Sequence, residues 1–550
     1  MLLTPLISIP TPKITTMNRL ILFLLLLPVQ ILNAQDNLSA LLPLPNHIEQ
    51  RQGSYHLSSN VKISSSTAEL QFATEQLQQV FKQRFGINLN TGENGKIRLL
   101  LNPKIEEDEQ YRLTVSAKGV TIEGKTPAGV LYGVMTLDQI LLGDVVSTKQ
   151  GKIQAVFIDD KPAYAFRALM LDPARNFLPV NDVKFYIDQM ARYKYNVLQF
   201  HLTDDQGWRV EVKNHPKLTQ VGAFRNPKGG VNSPDNGYYT QEQLKDLVLY
   251  AKQRNVEIIP EMDVPGHTAA LLAAYPELRC GFLKDSIFDL NKTNNVMLSA
   301  ANPKVYEVLD DVIREMSTIF PSKKIHLGGD ESAIEKNWGK STEDLRLMQE
   351  HGYTKPEQLM NIFFGKVLAS AKKYGMHAIL WCELDNIHMP ANEYLFDYSQ
   401  DVTLVTWRYG LTPKCIELTG KKKNSLILAP GEYCYFDYPQ YKNDLPEYNN
   451  WGMPTTTLKK SYEFNPTYNL ATSETQHIIG LMGTLWGEAI KDINRATYMT
   501  FPRGLALAEA GWTQMPLRNW DSFKNRLYPN LLELTKRGVS VRMPFEISAK

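Results

Sequence analysis

From about residue 156 the chain repeats one alternation, a short apolar run followed by a longer segment with helical spacing. The runs fall at 168–171, 197–202, 256–262, 325–327, 378–381, 403–407, 426–429 and 478–485. Helical spacing fills gaps such as 181–195, 241–254, 303–320 and 356–374. The runs are apolar at successive positions, not at every second one, which fits parallel strands covered on both faces. Eight such units in order predict an α/β fold, a (β/α)8 TIM barrel over 156–550, with helices after Arg503 closing it.

Residues 36–155 read differently. Short strands are expected at 55–57, 61–63, 96–101, 111–115 and 120–122, with helices at 68–85 and 126–142, the second weakened by Gly129 and Gly133. This is a small α+β N-terminal domain with no catalytic cluster. Ahead of it, Met17-Asn18-Arg19 precedes an apolar core, Leu20 to Leu27, and small Ala34 closes the segment. Residues 1–34 thus read as a secretory signal peptide with Met17 as the true start, and the mature protein is expected to be exported, periplasmic or secreted. No other stretch is long and apolar enough for a permanent membrane span. Sixty basic and 58 acidic groups leave a net charge of +2, which makes no electrostatic case for nucleic acid. The four cysteines form no metal-ligand spacing and set no disulfide pairing. Oligomeric state is not legible.

Chemistry in such a barrel sits at the C-terminal ends of the strands. Here those ends carry Asp172 and Arg175, His201, Asp204 and Asp205, Glu261, Asp263 and His267, Asp330 and Glu331, Trp381 and Glu383, Trp407 and Arg408, Tyr435 and Asp437, and Trp486 and Glu488. The stretch Lys324 to Ser332 is the most pointed: a strand, then Gly328-Gly329, then adjacent carboxylates Asp330 and Glu331. Neighbours on a strand point to opposite faces, so both carboxyls share a pocket only if the glycines release the backbone from strand geometry. In a partly dry cleft such a pair cannot ionise independently, which equips it as an acid with a charged helper. His201, Asp204, Asp205, Asp263 and His267 could instead bind a metal, but His-x-His, His-x-x-x-His and Cys-x-x-Cys spacings are absent, so no metal or other cofactor is expected. A single Trp is most simply a core residue. Three at strand ends, beside carboxylates, suit the apolar face and hydroxyl rim of a sugar.

Together these residues resemble glycoside hydrolase family 20, the β-N-acetylhexosaminidases. The resemblance runs from about Leu41 to Thr513 and includes Leu42-Pro43-Leu44-Pro45, residues 126–133 (TPAGVLYG), 201–209 (HLTDDQGWR), Pro265-Gly266-His267 and His326-Leu327-Gly328-Gly329-Asp330-Glu331. It implies Glu331 as general acid/base, Asp330 as the residue orienting the acetamide of the substrate, Tyr435 as donor to the acetamide oxygen, and Asp204 and His267 as their support. It implies Arg167, Asp437 and Glu488 as sugar-hydroxyl ligands and Trp381, Trp407 and Trp486 as pocket walls. The implied reaction is exo-acting, retaining release of terminal N-acetylglucosamine or N-acetylgalactosamine from glycans or chitin fragments, through an oxazolinium formed by the substrate's own acetamide. Adjacency of Asp330 and Glu331 points the same way, since chain neighbours are poorly placed to flank a sugar from opposite sides. Two departures, Asn176 after the first strand and Cys382 between Trp381 and Glu383, bear on pocket detail. Release of a disaccharide such as lacto-N-biose, and a catalytically dead sugar-binding protein, are the rival readings.

Overall fold

The computed structural model describes residues 38–548 apart from 59, 226–233, 282–294, 385–396, 443 and 445–452. The expected signal segment lies outside the described residues. The eight apolar runs are the eight strands of a closed barrel: Phe166–Leu171, Val197–His201, Glu257–Val264, Lys324–Gly328, His377–Trp381, Thr403–Thr406, Leu426–Leu428 and Ile478–Gly483. All neighbours pair in parallel, and the last strand returns to the first through Gly480↔Phe166 and Gly483↔Leu169.

Successive residues on each strand face two different cores, which explains runs without alternation. Ala168, Met170, Ile259, Ile379, Val405 and Met482 fill the barrel interior. Leu169, Leu171, Leu198 and Phe200 instead join the outer core, where the helices dock. The expected helices are present as Val180–Arg192, Gln241–Gln253, Pro303–Ile319 and Leu359–Lys373. Gln241–Gln253 starts at a capping box on Thr240, and Pro303–Ile319 at Asn302, whose side chain accepts the Lys304 N–H. Among the described residues no helix is long and apolar enough to cross a membrane.

Upstream, seven strands form one mixed sheet, in the order His47–His56, Lys152–Asp160, Tyr111–Ser116, Gly119–Gly124, Ile97–Leu101, Lys62–Ser65, Asn90–Thr91. Helices Gln71–Phe85 and Pro127–Gly143 pack on it. The strand Lys152–Asp160 crosses the boundary expected at 155, because its register with His47–His56 and Tyr111–Ser116 holds it in this sheet to its end. The glycines that weaken the second helix on propensity are contact points. A Cβ on Gly129 would stand 2.3 Å from the Gln110 carbonyl oxygen, and one on Gly133 2.4 Å from Ile122 Cγ2.

The sheet domain is bolted to the N-terminal end of the barrel by buried polar groups. Asp160 accepts from Tyr111 Oη (2.7 Å) and Trp512 Nε1 (2.9 Å), and Lys194 Nζ lies 3.3 Å away. The Leu42-Pro43-Leu44-Pro45 segment is wedged in the same seam: the Leu42 N–H donates to Gln139 and the Leu44 N–H to Glu509.

Candidate active site

The turn after the fourth strand leaves strand geometry where the paired glycines allow it. Gly328 and Gly329 have φ of 67° and 99°, and Glu331 itself sits at φ 45°. Asp263, at the end of the third strand, explains the first glycine, since a Cβ on Gly328 would stand 1.7 Å from Asp263 Oδ1. The result separates two chain neighbours. Asp330 is buried, whereas the Glu331 side chain is 54% exposed in the cleft. Both remain near one imidazole: His267 Nε2 lies 3.9 Å from Asp330 Oδ2 and 3.8 Å from Glu331 Oε2.

His267 is backed by Asp204, whose Oδ1 lies 3.3 Å from its Nδ1. Asp204 also meets Arg175 (2.8 Å) and His201 Nε2 (2.9 Å). Burial alone would raise the Asp204 carboxyl, but Arg175, His267 and His201 hold it well below the usual range. Burial alone would lower His267, but Asp204, Asp263 and Asp330 raise it well above the usual range, so it is an imidazolium facing the carboxyl pair. Burial pushes Asp330 up, with Glu331 adding to the rise and His267 opposing it. Burial and the Asp330 charge push Asp263 well above the usual range. Of the two buried carboxyls the larger rise is that of Asp263, which favours its protonated form and leaves Asp330 as the carboxylate that His267 faces.

Below this level the barrel interior carries a polar floor that the role assignment from sequence left out. Glu261 accepts from Gln199 Nε2 (2.7 Å) and Trp381 Nε1 (3.0 Å), and lies 2.9 Å from His201 Nδ1 and 3.0 Å from His326 Nδ1. The two histidines flank Glu261 by strand register, Glu261↔His201 and Glu261↔His326. Sets such as Asp263, His267 and Asp330 are dense enough in donors to hold a cation. However, His201 already spans two carboxylates through its two nitrogens and His267 already faces Asp204, so protons account for the charge pairing.

Around the pair stand the aromatic and acidic groups expected at the strand ends. Trp381 is fully buried and Trp407 and Trp486 half-buried, with Trp381 and Trp486 ring centroids 5.8 Å apart. Tyr435 follows the seventh strand and lies 6.3 Å from the Trp486 ring. Burial keeps its hydroxyl protonated, by raising it well above the usual range. Asp437 is held up to about 8 by burial and by Glu488. Five buried polar atoms here make no hydrogen bond with the described residues: Asp263 Oδ2, Asp330 Oδ1, Tyr435 Oη, Asp437 Oδ1 and Trp407 Nε1. Buried polar groups are ordinarily satisfied, so a cluster of exceptions in one cleft calls for a hydroxyl- and amide-bearing ligand.

One expected ligand is not in this cleft. Arg167 is the second residue of the first strand, at the opposite end of the barrel. It pairs with Glu109 (2.8 Å), donates to the Lys194 carbonyl (2.8 Å) and lies over Trp512 at 5.0 Å. The arginine at the pocket is Arg175, which joins Asp172 (2.9 Å) and Asp204 and stacks over Trp486 at 5.0 Å. The position relative to the apolar run was the available signal, because Arg175 follows it and Arg167 precedes it. Asn176 has a structural role: its amide donates to the Gly487 (2.6 Å) and Glu488 (3.3 Å) carbonyls, fixing the loop of Glu488. Cys382 is buried and unbridged, as are the other three cysteines.

Paired carboxyls of split burial, an imidazolium, aromatic walls and an acidic rim at the mouth of a barrel define a glycoside hydrolase. The chain belongs to glycosyl hydrolase family 20. Its residues 164–515 match the family's catalytic domain and residues 38–161 its domain 2. It is 37% identical to a beta-hexosaminidase of Akkermansia muciniphila, over 79% of this chain and 85% of that one. It is 31% identical to a beta-hexosaminidase of Vibrio furnissii, over 86% and 76% respectively. A family 20 exo β-N-acetylglucosaminidase from Vibrio harveyi, solved with N-acetylglucosamine, superposes with a TM-score of 0.79 at 30% identity, covering 92% of this chain and 78% of that one. The Streptomyces plicatus N-acetyl-β-hexosaminidase, solved with Thio-NAglucal, gives 0.79 at 28%, covering 94% and 98%. The enzyme is a β-N-acetylhexosaminidase.

Proposed function

We propose that the enzyme removes terminal, non-reducing N-acetylhexosamine units with retention, using the substrate's acetamide as nucleophile. The observation that carries this is the placement of the two carboxyls. Asp330 and Glu331 approach the same nitrogen of His267 from one turn, whereas two-carboxylate retention needs groups about 5 Å apart on opposite sides of the sugar. Family 20 is a recognised exception to that scheme. Glu331, exposed in the cleft, gives its proton to the glycosidic oxygen as the bond to the anomeric carbon breaks. The acetamide oxygen closes on that carbon, forming an oxazolinium. Asp330 takes the acetamide N–H and offsets the cation's charge, and the Tyr435 hydroxyl donates to the acetamide oxygen. Water then opens the ring at the anomeric carbon and returns a proton to Glu331. The His267–Asp204 pair supplies the positive charge that faces both carboxyls. Trp407 and Trp486 wall the sugar, with the fully buried Trp381 packed against Trp486 as their support and not itself a wall, while Asp437, Glu488 and Arg175, in place of Arg167, take its hydroxyls. Export is proposed on the charged start and apolar core ahead of Ala34.

The test compares the nitrophenyl β-N-acetylglucosaminide and galactosaminide with the plain β-glucoside. Turnover should require the acetamide, and a thiazoline analogue of the intermediate should inhibit competitively. Efficient cleavage of the plain glucoside, or a covalent sugar trapped on Asp330, would overturn the mechanism.

A further inference from the structure

Glu383, two residues beyond the fifth strand, is a buried carboxyl without a role so far. Its Oε2 accepts the backbone N–H of Glu331 at 3.1 Å, and its Oε1 lies 2.6 Å from Arg408 Nε. The Arg408 guanidinium in turn lies 4.2 Å over the Trp407 ring. The Glu383 N–H donates to Tyr398 Oη (3.0 Å), which donates to the Trp381 carbonyl (3.0 Å). One side chain thus ties the residue after the fourth strand to the ends of the fifth and sixth.

The bond to Glu331 falls where it is needed. Glu331 is not a glycine, yet it holds φ 45°, a left-handed conformation that L-residues seldom adopt outside supporting structure. Its own side chain is 54% exposed and is steadied by little more than the 3.8 Å approach of His267. The orientation of the carboxyl in the cleft is therefore set largely by its backbone. We propose that Glu383 is the positioning residue for the acid: it clamps the Glu331 backbone in the left-handed turn and, through Arg408, keys that turn to the Trp407 wall. The groups that bear on it are Arg408, Asp330 and Glu331. Burial pushes its own carboxyl up to about 7 although Arg408 opposes this, so the clamp is an ion pair that weakens on the acid side of neutrality.

The proposal rests on Glu331 being the acid, and the experiment separates the two. Glu383→Met, Glu383→Gln and, as control, Glu331→Gln are assayed on a β-linked N-acetylglucosamine disaccharide, whose alkoxide leaving group needs a proton, and on the dinitrophenyl β-N-acetylglucosaminide, whose leaving group does not. Misplacing a reacting group by about 1 Å costs about a hundredfold, which is the loss expected for Glu383→Met on the disaccharide. On the dinitrophenyl substrate the loss in kcat/KM, which reports only the steps through departure of the phenol, should be no more than about threefold, because general-acid assistance is what was removed. Glu383→Gln keeps an oxygen for the Glu331 N–H but loses the Arg408 charge, and should fall between, with the same selectivity. If Glu383→Met does not fold, the selectivity of Glu383→Gln decides. Glu331→Gln selective while the Glu383 variants lose both substrates equally, or neither, overturns the clamp alone. Glu331→Gln without selectivity overturns the acid and the clamp together.

Discussion

Gly328→Ala isolates the contact that turns two chain neighbours into one site. The added Cβ would stand 1.7 Å from Asp263 Oδ1, 2.3 Å from its Cγ and 2.9 Å from its Cα. The last distance is to backbone, so rotating the Asp263 side chain cannot clear the overlap. Alanine in the left-handed region costs about 1–2 kcal/mol. Overpacking a filled site costs about a further 1–3 kcal/mol. The sum, about 2–5 kcal/mol, is a large share of the roughly 5–15 kcal/mol of a folded domain. Gly352→Ala is the internal control, since it has nearly the same φ (68°) with nothing within 4 Å, and carries the backbone cost without the clash. Urea unfolding of both variants should therefore differ by about the overpacking amount. Gly328→Ala should also lose turnover, because a displaced Asp263 bears directly on Asp330. If Gly328→Ala matches Gly352→Ala in stability and the parent enzyme in kcat, the glycine is not what shapes the site.

Arg167→Met should lower stability by about 3–5 kcal/mol through the stranded Glu109 while leaving KM unchanged, and Arg175→Met should raise KM by about tenfold or more; equal KM changes would contradict the assignment of Arg175 to the sugar. Trp486→Ala should weaken binding of the terminal sugar about tenfold with folding intact, and normal binding or an unfolded variant would make it a core residue. Asp437, held up to about 8 by burial and Glu488, keeps a proton in the folded chain that the unfolded chain sheds near pH 4, so its contribution to stability is lost as pH rises through about 8. Relative to the parent, Asp437→Asn should gain stability as pH rises from about 4 to about 8, at up to about 1.4 kcal/mol per unit; urea unfolding at pH 4, 6 and 8 with no widening gap would contradict it.

What the sequence makes legible follows the length scale of each cause. Strand positions are set by burial on both faces, which is written in consecutive residues, and all eight runs overlie barrel strands. The glycine turn before Asp330 is equally local. Gly129 and Gly133 show the limit of local weighting, because what they supply is closeness to Gln110 and Ile122, residues whose approach only tertiary structure sets. Arg167 shows a different limit. Six residues at about 3.3 Å each carry a strand some 20 Å across the barrel, so an arginine at its start and one beyond its end serve opposite faces. The apolar run between them contained that information, and a family pattern read without it chose the wrong arginine.

The polar floor needed knowledge that no single segment carries. Residues two apart on a strand share a face, so the inward direction of Gln199 and His201, or of Ile259, Glu261 and Asp263, follows from parity once one of them is placed. Which layer each occupies depends on the stagger with which neighbouring strands close the barrel. Only the pairings Glu261↔His201 and Glu261↔His326 bring both histidines to one carboxylate, and a slip of one residue would send either to the outer core. That register has a chemical consequence. His201 is charged because it lies between Glu261 and Asp204, Asp204 stays an anion because it meets His201 and Arg175, and His267 stays charged because it meets Asp204. The protonation state of the group facing Asp330 and Glu331 is thus fixed from beneath, by the way eight strands close.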